Sequence, residues 1–116
     1  MIKPVKIGSR YLSTNSSCYI IAEIGSNFNG RISNAKKLIK LAKNSGANAV
    51  KFQSFVPEKI ISKNGFKKKL AFQAKWKKSV WNVYDEAKLP LSWHEKLSKY
   101  SKSIGIDFMS APYYYE

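Results

Sequence analysis

Apolar and polar positions along this chain follow two rhythms, one of period two and one of period ~3.6, and their alternation predicts the elements. Residues 19 to 24, Tyr19-Ile20-Ile21-Ala22-Glu23-Ile24, are mostly β-branched or apolar and lie between Ser16-Ser17 and Gly25, which predicts a buried strand. The glutamate inside that run is conspicuous. From Ser33, a candidate N-cap, to about Asn44 the rhythm is helical: Ala35, Leu38, Ile39 and Ala42 share one stripe, lysines fill the other face, and Gly46 stands where helices end. Residues 48 to 53 return to period two, with Val50 and Phe52 on one side and Ala49, Lys51 and Gln53 on the other.

The same unit recurs downstream. Ser92 and Glu95 after Pro90 have the spacing of a capping box, Trp93, Leu97, Tyr100 and Ile104 mark an apolar helix face, and Gly105 precedes a third strand at Ile106-Asp107-Phe108-Met109-Ser110. Gly46 and Gly105 are 59 residues apart, and at that offset Lys40 meets Lys99, Lys43 meets Lys102 and Val50 meets Met109. Strands alternating with amphipathic helices imply crossover connections, a parallel sheet and an α/β fold. Residues 1 to 17 read as a lead-in. A long insertion over about 54–91 holds a Lys63-Asn64-Gly65 turn and one or two short helices carrying Leu70, Phe72, Trp76, Val80, Trp81 and Tyr84. Its aromatics are expected to pack rather than to stack on bases. The sequence stops at Tyr113-Tyr114-Tyr115-Glu116, before any helix that would cover the third strand, so the chain reads as truncated.

Composition narrows the class. With 44% hydrophobic and 14% aromatic residues the chain is expected to form a globular domain or part of one. No run approaches the ~18 apolar residues of a membrane span, so no membrane partner is expected and a cytoplasmic location is the default. Cys18, the only cysteine, gives no internal disulfide and no cysteine metal cluster, and it is expected as buried packing. The net charge of +14 invites a nucleic-acid reading, but the excess is almost all lysine, with arginine only at Arg10 and Arg31. An AT-rich coding sequence yields such a lysine, asparagine and isoleucine excess without any polyanionic partner. A mildly positive site for a small anion is the functional reading of the same charge.

Gly25-Ser26-Asn27-Phe28-Asn29-Gly30-Arg31-Ile32 has the two-glycine spacing of a phosphate-binding loop, but Arg31 and Ile32 replace its lysine and its hydroxyl residue. Turn geometry is the better account of the glycines and asparagines. Glu23 is a stronger signal, because a carboxylate near the end of an apolar strand is costly unless paired, protonated or at work. A salt bridge to a lysine is its bland explanation. Lys51 and Gln53 share a face at the same end of the next strand, where they could converge with Glu23. His94, beside the capping box and without a second histidine, reads as structural or solvated.

These residues fall into blocks. Ile21-Ala22-Glu23-Ile24-Gly25 with Asn27-Phe28-Asn29-Gly30, then Gly46 to Gln53, then Gly105 to Tyr113, resemble in order and spacing the opening blocks of the N-acetylneuraminate (sialic acid) synthase family, over roughly residues 18 to 113. The stretch from Glu58 to Lys63 and Leu91-Ser92-Trp93-His94 resemble it too. The resemblance implies a (β/α)8 TIM barrel, of which this chain would supply the first three strands with their helices, followed elsewhere by a small antifreeze-like domain. It implies a transferase that condenses phosphoenolpyruvate with N-acetylmannosamine or a related N-acetylated hexosamine and releases phosphate by C–O cleavage. It assigns Glu23 as the active-site carboxylate, Lys51 to phosphoenolpyruvate, and Gln53, Asn27 and Ser110 to substrate contacts. It also implies a divalent metal, manganese or magnesium, with histidine ligands beyond Glu116 and none in this chain, and a homodimer. Two positions depart from the pattern: Phe28 stands for a usual histidine and Ala111 for a usual threonine, while Ser110 would point to the opposite face. A nonulosonic acid other than N-acetylneuraminate is therefore in view. A small basic nucleic-acid-binding module and an inactive degenerate fragment stay open as alternatives. About a third to a half of a ~250-residue barrel is expected to be inactive and poorly stable alone.

Overall fold

Two helix–glycine–strand units lay down a three-stranded parallel sheet, and the residues that position the candidate site all lie on it. The computed structural model describes residues 2–67, 69 and 71–115. A hairpin of β1 (Val5–Ile7) and β2 (Arg10–Leu12) is followed by β3 (Ile21–Gly25), α1 (Ile32–Asn44) and β4 (Ala49–Ser54). Then come α2 (Pro57–Ile60), 3-10 turns at Gly65–Lys67 and Ala71–Gln73, α3 (Val80–Ala87), α4 (Leu91–Ser103) and β5 (Asp107–Pro112). Leu70, expected on a helix of the insertion, lies outside the described residues.

The sheet order is β3-β4-β5, and the register places Glu23 beside Lys51 and Lys51 beside Met109. Because side chains alternate, one face carries Ile21, Glu23, Ala49, Lys51, Gln53, Met109 and Ala111, and the other Val50, Phe52, Ser54, Phe108 and Ser110. The helices cover only the second face. Ala35, Ile39 and Ala42 of α1 and Leu97 of α4 are buried there with Ile24, Val50, Phe52 and Ile106. Phe28, in the β3–α1 loop, is fully buried, its ring 6.2 Å from Phe52 and 5.9 Å from Trp93. The position where the resemblance expects a histidine is thus filled by core. The first face stays open: Ile21 is 43% exposed, so β3 is not the strand buried on both faces that its composition suggested.

Both helices end as their glycines require, in the left-handed region at Gly46 (φ +88°) and Gly105 (φ +74°), where a side chain would be strained. Their starts differ from expectation. Arg31 is the N-cap of α1 and no side chain caps it; Ser33 falls inside the first turn. The preceding turn, with Asn29 at φ +50° and Gly30 at φ +65°, sets the entry instead. Pro90 is the N-cap of α4, so Ser92 and Glu95 form no capping box, and Glu95 pairs with Lys99 at 2.5 Å. Proline offers no side-chain acceptor but carries the extended backbone from which a helix can start.

The lead-in holds more structure than expected. The β1–β2 hairpin leans on the N-terminal end of the sheet, where Gly8 packs so closely on the Asp107 carboxylate that a Cβ built there would stand 2.7 Å from Oδ2. The Tyr19 hydroxyl donates to Asp107 Oδ2 at 2.5 Å, and the Arg10 guanidinium lies 5.7 Å from the Tyr19 ring centre. Cys18 between them is exposed, contrary to expectation, because the apolar run enters the strand only at Ile21. At the start of β5 the Asp107 amide donates to Asn48 O, and just past its end the Tyr113 amide donates to Ser54 O. Alternation between these two points the amides of Phe108 and Ser110 away from β4, in a row where Pro112 has none to offer.

Candidate active site

Parallel strands end together, and what their last residues carry on the uncovered face defines the candidate site. Glu23 Oε2 meets Lys51 Nζ at 2.9 Å, with the Lys51 side chain 39% exposed and that of Glu23 48% exposed. The other carboxylate oxygen accepts the amide of Gly25 at 3.0 Å, which turns the group back over its own strand end. The hydrogen bond from Lys51 to Glu23, and the carboxylate's charge beside it, raise the Lys51 pKa above its ordinary value. The ammonium thus stays charged through and beyond neutral pH. An exposed pair of this kind adds little stability; its effect is to hold a cation and a carboxylate in fixed relation on an open surface.

Gln53, two residues along on the same face, makes no side-chain hydrogen bond among the described residues. It lines a pocket of about 180 Å³ with Ser26, Phe55, Trp76 and Tyr84. A larger hollow of about 510 Å³ shares Ser26 with it and is bounded by Asn29, Gly30 and Glu86. Phe55 is buried and meets Tyr84 edge-on at 5.9 Å, whereas Phe72 is exposed and rests against Trp76. The aromatics of the insertion are therefore divided between core and rim.

Asn27 sits on the β3–α1 loop near Gly25, but its side-chain amide donates to Ile24 O at 3.0 Å, so its donor is committed to shaping the loop. Ser110 is not part of the convergence. It lies on the helix-covered face, bonded to the Ser54 hydroxyl, and the residue of β5 that stands beside Gln53 is Ala111. His94 is half-buried and structurally bonded, the first of the two readings its position allowed: its Nε2 is 2.5 Å from Ser54 Oγ and its Nδ1 is 3.1 Å from Leu91 O. Ser54 drew no attention in the sequence, although its position in phase with Val50 and Phe52, as a polar residue on an apolar face, was the available signal.

Among the described residues no three His, Cys, Asp or Glu side chains come together to hold a metal. Glu23 is already committed to Lys51 and the Gly25 amide, so these residues do not fit a metal centre. No helix among the described residues is long and apolar enough to cross a membrane. Of the 19 lysines, seven sit on α1 and α4, across the sheet from the Glu23–Lys51 pair, and nine lie in the stretch 54–91.

Comparison with known proteins fits this geometry. The NeuB family model matches residues 38–116. The N,N'-diacetyllegionaminic acid synthase of Campylobacter jejuni is 40% identical over 97 residues, which is 81% of this chain and 28% of that protein. The pseudaminic acid synthase of the same species is 30% identical over 102 residues, covering 87% of this chain and 30% of its own. Among solved structures, the N-acetylneuraminic acid (sialic acid) synthetase of Leptospira borgpetersenii superposes with a TM-score of 0.77 at 25% identity, over 97% of this chain and 35% of that one. The chain thus spans less than a third of the length of these two curated relatives.

Proposed function

The chain belongs to the NeuB family, and on that footing we propose that it contributes the opening βα units of a nonulosonic acid synthase built on a (β/α)8 barrel. The reaction is condensation of phosphoenolpyruvate with an N-acetylated amino sugar. The observation that carries the proposal is the Glu23–Lys51 pair at 2.9 Å, with Gln53 on the same open face at the strand ends. In a barrel this face lines the interior, and strand ends are where such folds gather catalytic groups.

In the proposed reaction the enol carbon of phosphoenolpyruvate attacks the open-chain sugar's aldehyde, forming the C–C bond while the aldehyde oxygen takes a proton. Water then adds to the resulting cationic carbon, and C–O cleavage releases phosphate and leaves the 2-keto acid. The Lys51 ammonium binds the anionic phosphoenolpyruvate. Glu23 orients that ammonium and lies within reach to hold a proton. Gln53 contacts substrate from the small pocket it shares with Trp76 and Tyr84, while Asn27 acts through the loop it braces. Turnover is expected to require manganese or magnesium, held by residues of the intact enzyme other than these. A cytoplasmic, homodimeric enzyme completes the proposal.

The test is release of phosphate by the complete encoded protein given manganese, phosphoenolpyruvate and a panel of N-acetylmannosamine and 2,4-diacetamido sugars. One sugar should support turnover. Lys51→Ala should lower kcat/KM for phosphoenolpyruvate by at least about 100-fold, the scale of losing a charge-stabilising contact in a closed site. No phosphate release with any sugar, or a Lys51→Ala protein as active as its parent, would overturn the reading.

A further inference from the structure

We infer that Ser54, Ser110 and His94 are positioning residues for the Glu23–Lys51–Gln53 site, forming a hydrogen-bonded chain that fixes the ends of β4 and β5 from behind. The inference rests on the proposed reading of that site. Ser54 Oγ lies 2.5 Å from His94 Nε2 and is bonded on its other side to Ser110 Oγ, while Ser110 Oγ is 3.4 Å from Phe52 O. His94 Nδ1 is 3.1 Å from Leu91 O, and since a carbonyl only accepts, that nitrogen carries a proton. In the neutral ring Nε2 is then the acceptor, so Ser54 donates to His94 and Ser110 gives its single proton to Ser54, leaving Phe52 O as a neighbour and not as its acceptor. The chain is complete, and it joins the first turn of α4 to two strands.

The chain sits directly behind the site. Ser54 follows Gln53, Ser110 precedes Ala111, and Gln53 and Ala111 are register partners on the open face. Ser54 is buried and points to the helix-covered face, opposite to the side chains of Glu23, Lys51 and Gln53, so the serine–histidine contact acts on the site through the strands. Stability alone does not explain it. Ser54 is 7% exposed on a face that otherwise buries Val50 and Phe52, and replacing a bonded buried polar set by apolar groups of similar shape is often neutral. What hydroxyls and an imidazole add is direction: they admit one register and one orientation of the strand ends.

The experiment compares Ser54→Ala, Ser54→Thr, His94→Gln and the Ser54→Ala/His94→Gln double variant in the complete encoded protein. Thermal unfolding, kcat, KM and the NMR signals of the Gln53 side-chain amide are read for each. Ser54→Ala should lower kcat by about 10- to 100-fold, the effect of misplacing a reacting group by under ~1 Å. KM for phosphoenolpyruvate and the melting temperature should hardly move. Ser54→Thr, which keeps the hydroxyl, should restore kcat, and the double variant should be no worse than the weaker single one. The inference is overturned if Ser54→Ala keeps kcat within twofold, if its loss follows the melting temperature, or if the two single losses add. Should no sugar support turnover at all, the proposed reaction fails by itself. Positioning is then decided by the Gln53 amide signals, which must shift in Ser54→Ala and not in Ser54→Thr; unmoved signals overturn it.

Discussion

Lys51 and Tyr19 show how single side chains respond to the two ends of the same sheet. At the far end from Lys51, burial together with the hydrogen bond to Asp107 raises Tyr19 to about 12. The folded protein therefore keeps that proton at pH values where the unfolded chain loses it. The stability this contributes is fully present below pH ~10, the unfolded tyrosine value, and is lost as pH climbs from there toward about 12. Absorbance titration should find a tyrosine ionising at about 12, and Tyr19→Phe should remove it while flattening the fall in stability over that window. At this scale much was legible. Period-two alternation put Lys51 and Gln53 on one face, and an acidic residue in an apolar run marked Glu23, because charge is rare where strands are buried. Ser110 was named as a substrate contact from its motif although its strand phase already pointed it to the opposite face, which is where it lies. The pairing of Gln53 with Ala111 shows which residue of β5 looks inward.

Elements divided along similar lines. Helices of 13 residues repeat their apolar stripe often enough to declare themselves, and the glycines that stop them sit at left-handed φ. Strands of three residues do not, so β1 and β2 were read as a lead-in. What holds them is contact with Asp107, a residue roughly a hundred positions away, and no local pattern reports that. Gly8 makes the contact measurable. Gly8 (φ +57°) and Gly46 (φ +88°) both bear the left-handed cost of ~1–2 kcal/mol on substitution by alanine, but only at Gly8 would the new Cβ also meet a carboxylate, at 2.7 Å. Chemical denaturation should therefore show Gly8→Ala as the more damaging of the two. Leu97→Ala, emptying a fully buried position under the sheet, should cost ~2–5 kcal/mol and lower the denaturant midpoint accordingly.

Taken whole, the chain is loosely built for its mass. Its radius of gyration is 17.0 Å, where a compact chain of this length would have ~13 Å. It exposes 8420 Å², whereas a monomer of 13.2 kDa exposes ~6,400 Å². The sheet face that no helix covers is one contributor, with Ile21 and the Glu23–Lys51 pair exposed on it, and the hairpin and insertion add others such as Tyr11 and Phe72. We expect the 116 residues alone to melt broadly and to bind a hydrophobic dye before melting, since half of the sheet's apolar burial is missing. A sharp, cooperative transition by calorimetry would contradict this. The α/β class with a parallel sheet was legible from the alternation of rhythms, and an incompletely covered sheet from the place where the sequence stops; the order of the strands was not, because local periodicity does not say which strands pair.

Pro112 gives that open architecture a safeguard. The outward row of β5 amides runs through Phe108 and Ser110 and then breaks at Pro112, so a stray strand laid along this edge finds two donors and then a blank. A partner evolved for the edge can accommodate the blank in its own acceptor pattern. A second copy of the chain, arriving in arbitrary register during synthesis, is met by a mismatch that shortens the ladder it could form. The interruption limits the length of ladder that an incoming strand can form along β5, at the strand end that also borders the site.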